Sequence, residues 1–328
     1  MRLGRIASAT DTGRRRRRNE DSFVVRPPLF AIADGMGGAQ AGEVASRLAA
    51  TVLNEADGHG SGEERVEELI QEANRRVHQR SVEDAAASGM GTTLTVAEIV
   101  GERVTIGHVG DSRAYLVRDG SLEQLTQDHS LVAELVRSGK LTPEEAEQHP
   151  QRSVITRALG TDPDVDVDTF AVEPHLGDLF LLCSDGLTSM VDDRMIERLV
   201  EQKRGDLDGL VRELIRAANK GGGEDNITVI AFEIAEGEPD AAEDTRTMDA
   251  IDGNEAEFDE EDTLSEADRV PAVDTMVVSV DDIAAAYDKT DEQPKPKKRR
   301  RLSRVLALLV VLIVLAAIAV ALIWGLMQ

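Results

Sequence analysis

An α+β domain of antiparallel sheets with helices outside, then a polar tail and a terminal apolar helix, is the fold this sequence predicts. Two observations within residues 1–235 carry the first part. Strand-like runs come in groups joined by short turns, and stretches with helical spacing separate those groups. A third observation, a charge-free apolar stretch at 305–327, carries the last part.

The elements follow in order. Leu29-Phe30-Ala31-Ile32-Ala33 is short, continuous and apolar, and it halts at Asp34-Gly35, as a buried strand does. Residues 42–55 and 63–82 repeat their apolar positions at helical spacing. Residues 92–99 and 103–109 alternate as strands, and 113–118 is a further strand ending on an Asp119-Gly120 hairpin turn. Two strongly apolar strands, 178–183 and 226–234, bracket helices at 192–202 and 206–219. No internal repeat of fixed period is present.

Composition narrows the function. The 328 residues include 62 acidic and 37 basic side chains, a formal net charge of −25. Such a chain repels phosphate backbones, and 3% aromatic content leaves few rings on which bases could stack, so nucleic acid is not an expected partner. Hydrophobic residues, at 41%, suffice for an aliphatic core. The single cysteine, Cys183, can form no internal disulfide, and a cysteine zinc site needs several, so a reducing compartment is the default. Cys183 sits in a predicted buried strand and reads as packing.

The charge is unevenly spread. Residues 236–293 hold 21 acidic and 3 basic residues with no sustained apolar stripe, which predicts a disordered acidic linker. As a coil it would span on the order of 40–50 Å. Within it, Met276-Val277-Val278-Ser279-Val280 fits a docking strand or, as the polar surroundings favour, a few apolar residues in a flexible tail. Thr245, Thr247, Thr263, Thr275 and Thr290 stand among acids, where kinases could reach them, although threonine is common in polar tails. Residues 294–304 carry 7 basic residues and no acid, and 305–327 is nearly all Leu, Val, Ile and Ala. The apolar stretch exceeds the roughly 20 residues that span a bilayer. The positive-inside rule then puts the basic segment and the folded domain in the cytoplasm. Only Gln328 follows, and the first residues show no apolar signal-peptide core.

The chemistry lies in acidic motifs at predicted strand ends: Asn19-Glu20-Asp21-Ser22, Asp34-Gly35-Met36-Gly37-Gly38, Gly110-Asp111-Ser112-Arg113, Ser184-Asp185-Gly186 and Glu224-Asp225-Asn226. An isolated Asp-Gly after a strand is ordinarily just a turn. Repetition changes the reading, because Asp34, Asp111, Asp185 and Asp225 converge if their strands are neighbours. Converging carboxylates cannot all stay ionised without a cation, and oxygen ligands select hard ions, Mg²⁺ or Mn²⁺. Two such ions about 3.5–4 Å apart can share a water, lower its pKa and direct the hydroxide in line at phosphorus. Arg14 to Arg18 form a run of five arginines just before Asn19. Most of them read as a solvated loop, and one in a fixed position could clamp a phosphate through its guanidinium fork.

In this order the set resembles the PPM (PP2C-type) metal-dependent serine/threonine protein phosphatases, bacterial type. The resemblance covers nearly all of 1–235 and none of the tail. It rests on Arg16 with Asn19-Glu20-Asp21, Asp34-Gly35-Met36-Gly37-Gly38, Gly91-Thr92-Thr93, and Gly107-His108-Val109-Gly110-Asp111-Ser112-Arg113. It continues through Thr126-Gln127-Asp128-His129-Ser130, Ile155-Thr156-Arg157-Ala158-Leu159-Gly160, Ser184-Asp185-Gly186-Leu187 and Asp225-Asn226-Ile227-Thr228. Each piece alone is weak; together and in sequence they are specific. The resemblance implies a four-layer α/β/β/α sandwich: two antiparallel sheets face to face with helices outside and metals at one end. Asp34 would bridge two ions, the Gly35 carbonyl would bind the second, and Asp185 and Asp225 would complete the first. Glu20, with Asp21 less firmly, would hold metal-bound water, and Arg16 would bind phosphate. A third ion would fall to Asp111 and Asp185 with Ser153, and 130–152 would be a flap.

Some family members have a histidine, proposed as general acid, where this chain has Met36. His129 is a weak substitute, since a flap histidine is more often structural, and His108 reads as a hydrogen-bonded core residue. The expected activity is hydrolysis of phosphoserine and phosphothreonine in proteins by a metal-bridging hydroxide, at the cytoplasmic face of a membrane. Phosphorylated proteins, with membrane serine/threonine kinases as natural candidates, are the implied partners. The alternatives are a catalytically silent phosphoprotein-binding scaffold of the same fold and a two-metal phosphohydrolase acting on small molecules or nucleic acid. The intact set of Asp34, Asp185 and Asp225 argues for activity, and the acidic, aromatic-poor domain argues against nucleic acid.

Overall fold

The computed structural model describes residues 2–37, 41–56, 60–235 and 276–277. In chain order the elements are β1 (Arg2–Asp11), β2 (Asp21–Arg26), β3 (Leu29–Met36), α1 (Ala41–Glu55), α2 (Glu63–Glu83), β4 (Gly91–Thr92), β5 (Leu94–Val100), β6 (Arg103–Val109), β7 (Arg113–Arg118) and β8 (Ser121–Gln124). There follow α3 (Leu131–Arg137), α4 (Pro143–Glu147), β9 (Val154–Ile155), β10 (Asp168–Val172), β11 (Leu179–Cys183), α5 (Asp185–Thr188), α6 (Asp193–Lys203), α7 (Leu207–Gly221), β12 (Ile227–Ala235) and β13 (Met276–Val277).

Two antiparallel sheets form the centre. One has the order β1-β12-β11-β7-β8, the other β10-β6-β5-β3-β2. The alternation of strand side chains builds three apolar layers from them. On β11, Phe180 and Leu182 face the other sheet, where they meet Phe30, Ile32 and Ile106. Leu179, Leu181 and Cys183 face away, onto Leu210, Leu214 and Ala218 of α7. On β3, Ala31 and Ala33 face outward, onto Ala49 and Leu53 of α1 and Ile70 of α2. Phe232 joins the two sheets: its ring stacks on Phe30 at a centroid distance of 4.3 Å and on Phe180 at 5.2 Å. Helices thus cover the outer faces, as expected from the sequence, and the three stacked phenylalanines with aliphatic side chains around them fill the middle.

Local chemistry sets the boundaries. The predicted helix starts at 192 and 206 are caps. The Asp192 carboxylate accepts from Met195 N–H at 2.8 Å, and Asp206 from Gly209 N–H at 2.9 Å, so each helix begins one residue later. At the predicted hairpin Asp119 and Gly120 both adopt positive φ, 52° and 84°, which suits a two-residue turn between β7 and β8. The strand expected over 92–99 is broken at Thr93, which turns its hydroxyl to the site instead.

The polar tail brings a correction. Met276–Val277 is not merely an apolar patch: it forms β13, parallel to β9. Among the described residues no helix is long and apolar enough to cross a membrane. The expected span 305–327, the basic segment 294–304 and the rest of 236–293 lie outside the described residues.

Candidate active site

Strand register gathers the acidic motifs at one end of the sandwich. Asp34 near the end of β3 stands opposite Asp21 at the start of β2. In the other sheet Cys183 at the end of β11 pairs with Val229 of β12 and with Arg113 at the start of β7. That pairing puts Asp185, Asp225 and the 110–112 loop at the same end. Asp34 is fixed through its backbone. Its N–H donates to the Thr93 hydroxyl at 3.0 Å, and its carbonyl accepts from Thr93 N–H and the Thr92 hydroxyl, both at 2.9 Å. The Thr93 and Ser112 hydroxyls lie 2.9 Å apart, which ties the loop carrying Asp111 to the same point.

Asp21 crosses between the sheets. Its Oδ2 accepts from the Thr228 hydroxyl at 2.5 Å and the Ser184 hydroxyl at 2.9 Å. The Asn226 amide organises the arginine loop: it donates to the carbonyls of Thr12 and Arg18, each at 2.9 Å, and its oxygen accepts from Glu20 N–H at 2.7 Å. The Glu20 carbonyl in turn receives Gly35 N–H at 3.2 Å and the Ser46 hydroxyl at 2.6 Å. This close layering explains Gly35, where a Cβ would collide with the Gly42 carbonyl and approach the Glu20 oxygen to 2.6 Å. Of the five arginines, Arg14, Arg15, Arg17 and Arg18 are exposed. Arg16 alone turns inward and donates to Asp225 Oδ2 at 2.8 Å.

The electrostatics are those of crowded carboxylates. Burial first, then the charges of Asp21, Asp185, Asp225 and Asp111, holds Asp34 well above the ordinary carboxylate range. Burial and then Asp111 and Asp225 do the same to Asp185. Burial pushes Asp21 up to about 6, against the opposing hydroxyls of Thr228 and Ser184. Asp111 rises to about 7, from burial and then Asp128.

These residues fit a hard cation. Buried Asp21 Oδ1 and Asp185 Oδ1 have no hydrogen-bond partner, an arrangement costly for oxygen atoms unless a ligand is meant for them. The donors are all oxygen, as Mg²⁺ or Mn²⁺ requires. Among the described residues no three His, Cys, Asp or Glu side chains are grouped closely enough to hold an ion as they stand.

Asp34, Gly35, Asp111, Asp185, Asp225, Asp21, Glu20 and Arg16, the site residues expected from the sequence, all stand at this end of the sandwich. Ser153 lies on the turn before β9, and among the described residues no hydrogen bond joins it to Asp111 or Asp185. The roles of Asn226, Ser184, Thr228, Thr93 and Ser112 were not foreseen, although each lies in or beside a quoted motif. His129 is enclosed: Nδ1 accepts from Gly110 N–H at 3.1 Å, so Nε2 carries the proton and donates to Asp168 at 3.2 Å. Burial, then the Arg157 charge, lowers its pKa, which suits a neutral structural ring. His108 is likewise a core residue, held by Thr95 at 2.9 Å and the Gln127 carbonyl at 3.1 Å, with burial lowering its pKa to about 4. Burial pushes the Cys183 thiol up to about 12, in keeping with packing rather than nucleophilic chemistry.

Known proteins resemble this chain in sequence and fold. Residues 14–227 match the family model of protein phosphatase 2C. The serine/threonine phosphatase stp of Listeria welshimeri is 42% identical over 236 residues, covering 68% of this chain and 93% of that protein. The crystal structure of the Mycobacterium tuberculosis serine/threonine phosphatase PstP/Ppp superposes with a TM-score of 0.68 at 39% identity, over 71% of this chain and 100% of that one. The PstP catalytic domain in complex with two manganese ions gives a TM-score of 0.64 at 36% identity, over 71% and 99% of the two chains.

Proposed function

The chain belongs to the protein phosphatase 2C family and is a serine/threonine protein phosphatase, and on that premise we propose that its clustered carboxylates use Mn²⁺ or Mg²⁺ to hydrolyse phosphoserine and phosphothreonine in proteins. The observation that carries this is the half-buried set Asp34, Asp185, Asp21 and Asp111, where desolvation and neighbouring carboxylates raise every pKa and where the orphan oxygens of Asp21 and Asp185 suit a cation. The solved PstP domain with two manganese ions supports the choice of metal. In this reading Asp34, Asp185, Asp225 and the Gly35 carbonyl hold the ions, Glu20 and Asp21 orient their water, and Asp111 and Asp185 with Ser153 serve a third. Bound there, the metal supplies charge neutralisation and an activated water for in-line attack on phosphorus. Arg16 then exchanges its hold on Asp225 for the substrate phosphate, which offers its guanidinium a second pair of acceptor oxygens.

The reading extends to location. Residues 236–293 tether the catalytic domain, 305–327 spans a membrane, and basic 294–304 keeps the enzyme on the cytoplasmic side. Phosphorylated membrane proteins, serine/threonine kinases among them, are then its substrates, because tethering raises their effective concentration.

The test is phosphate release from a phosphothreonine peptide by the full chain, with Mn²⁺, with Mg²⁺ and with EDTA. Release should require metal, and Asp34→Asn should lower it by more than about a hundredfold. A folded wild-type protein that binds the peptide without turnover would instead be the silent scaffold. Membrane attachment is tested by flotation with liposomes: the full chain should float and a chain ended at Arg304 should not.

A further inference from the structure

β9 lies outside both large sheets and ends the segment that carries α3 and α4. One of its edges is taken by Ser130, the residue that caps α3. Ile155 stands opposite Ser130 in an antiparallel bridge, and Thr156 N–H donates to the His129 carbonyl at 2.8 Å. That bond marks a non-hydrogen-bonded pair, so the N–H and C=O of Ile155 itself point to the other edge. Ile155 is fully buried, and backbone groups there need a partner. The strand seated on that edge is β13, with Met276 opposite Val154 and Val277 opposite Ile155, in parallel register.

The sequence suits the role. Met276-Val277-Val278 is a β-prone run within a long acidic stretch. The place is close to the chemistry, since Ile155 packs on Met36, two residues after Asp34 on β3. We propose that the outer edge of β9 is a strand-docking site whose occupant is this chain's own tail around Met276, bound in cis beside the catalytic end. A two-residue ladder is too short to hold a free peptide. Attachment through 236–275 supplies the missing affinity, because a tethered segment sits at an effective concentration on the order of millimolar. Once occupied, the edge is closed to any other extended chain.

The experiment compares the full chain with Met276→Pro by hydrogen–deuterium exchange of peptides covering 150–158. With Ile155 aimed at β13, the parallel register makes Met276 a ladder donor; proline there has no N–H, and position 276 lies outside the sandwich, so the domain itself is left intact. Exchange at the Ile155 amide should quicken by about tenfold in the variant, with the rest of the domain unchanged. Wild-type protection should not change on hundredfold dilution. Equal exchange in the two proteins would overturn the proposal. Protection that fades on dilution would overturn docking in cis and assign the edge to the tail of a second copy. Neither readout depends on phosphatase turnover.

Discussion

Asp21 shows how one buried carboxylate is kept ready for a cation. Its Oδ2 is held by Thr228 at 2.5 Å and Ser184 at 2.9 Å, and its Oδ1 has no partner. Burial raises its pKa to about 6, and hydrogen bonds to the ionised form oppose the rise. Thr228→Val keeps the shape and deletes one donor, so the Asp21 pKa should climb further and the group should favour a proton over a metal. Mn²⁺ affinity, read by isothermal titration calorimetry at constant pH, should fall by about ten- to a hundredfold. An unchanged affinity would show that Asp21 takes no part in holding the ion. The donors on Asp21 were hard to read from sequence because they come from strands far off in the chain. The Asp-Gly pairs were legible, since each ends an apolar strand. Asn226 was half-legible: it follows Asp225 in a quoted motif, but its two bonds back to Thr12 and Arg18 exist only once β12 and the arginine loop are adjacent. Arg16 was named by resemblance alone, and nothing in a run of five identical residues marks which one turns inward.

The strands of the two large sheets that the sequence pattern missed share one property. β1 and β8 are the edges of one sheet, and β10 and β2 the edges of the other. Edge strands are half in water, so their side chains need not be apolar. β1, Arg2–Asp11, buries only Ala7 fully, and all five residues of β10 are half-buried. Central strands such as β11, buried at all five positions, announce themselves as continuous apolar runs. The pattern therefore disclosed the middle of the sandwich and left its width unknown. Helix packing has a similar hidden determinant at Gly107 on β6. A Cβ there would collide with Val66 and come within 2.7 Å of Ile70 Cδ1, both on α2. The missing side chain lets α2 settle onto the sheet. Gly107→Val should force the helix outward and cost about 1–3 kcal/mol by overpacking, seen as a lower urea midpoint at an unchanged slope. A midpoint equal to wild type would mean that α2 has room to shift freely.

At the scale of the whole molecule, the carboxylate end couples fold, proton and metal. Asp21 and Asp111 carry folded-state pKa values of about 6 and about 7, and Asp34 and Asp185 are also raised. In the unfolded chain these groups ionise near the ordinary carboxylate value of about 4. Between roughly pH 4 and 7 the folded protein therefore binds more protons than the unfolded one, and metal-free stability falls as pH rises through that window. A cation that replaces the protons reverses the balance, and protons compete with it at low pH. The EDTA-treated protein should thus melt at a lower temperature at pH 8 than at pH 5. Added Mn²⁺ should raise the melting temperature at both, by more at pH 8, where no proton must be expelled. Differential scanning calorimetry at the two pH values decides the matter. A Mn²⁺ increment that is equal at pH 5 and 8 would separate metal binding from these four carboxylates. A larger increment at pH 8 would mean that the end of the sandwich is strained when empty of both protons and metal, and that its instability without a cation is what gives the cation its hold.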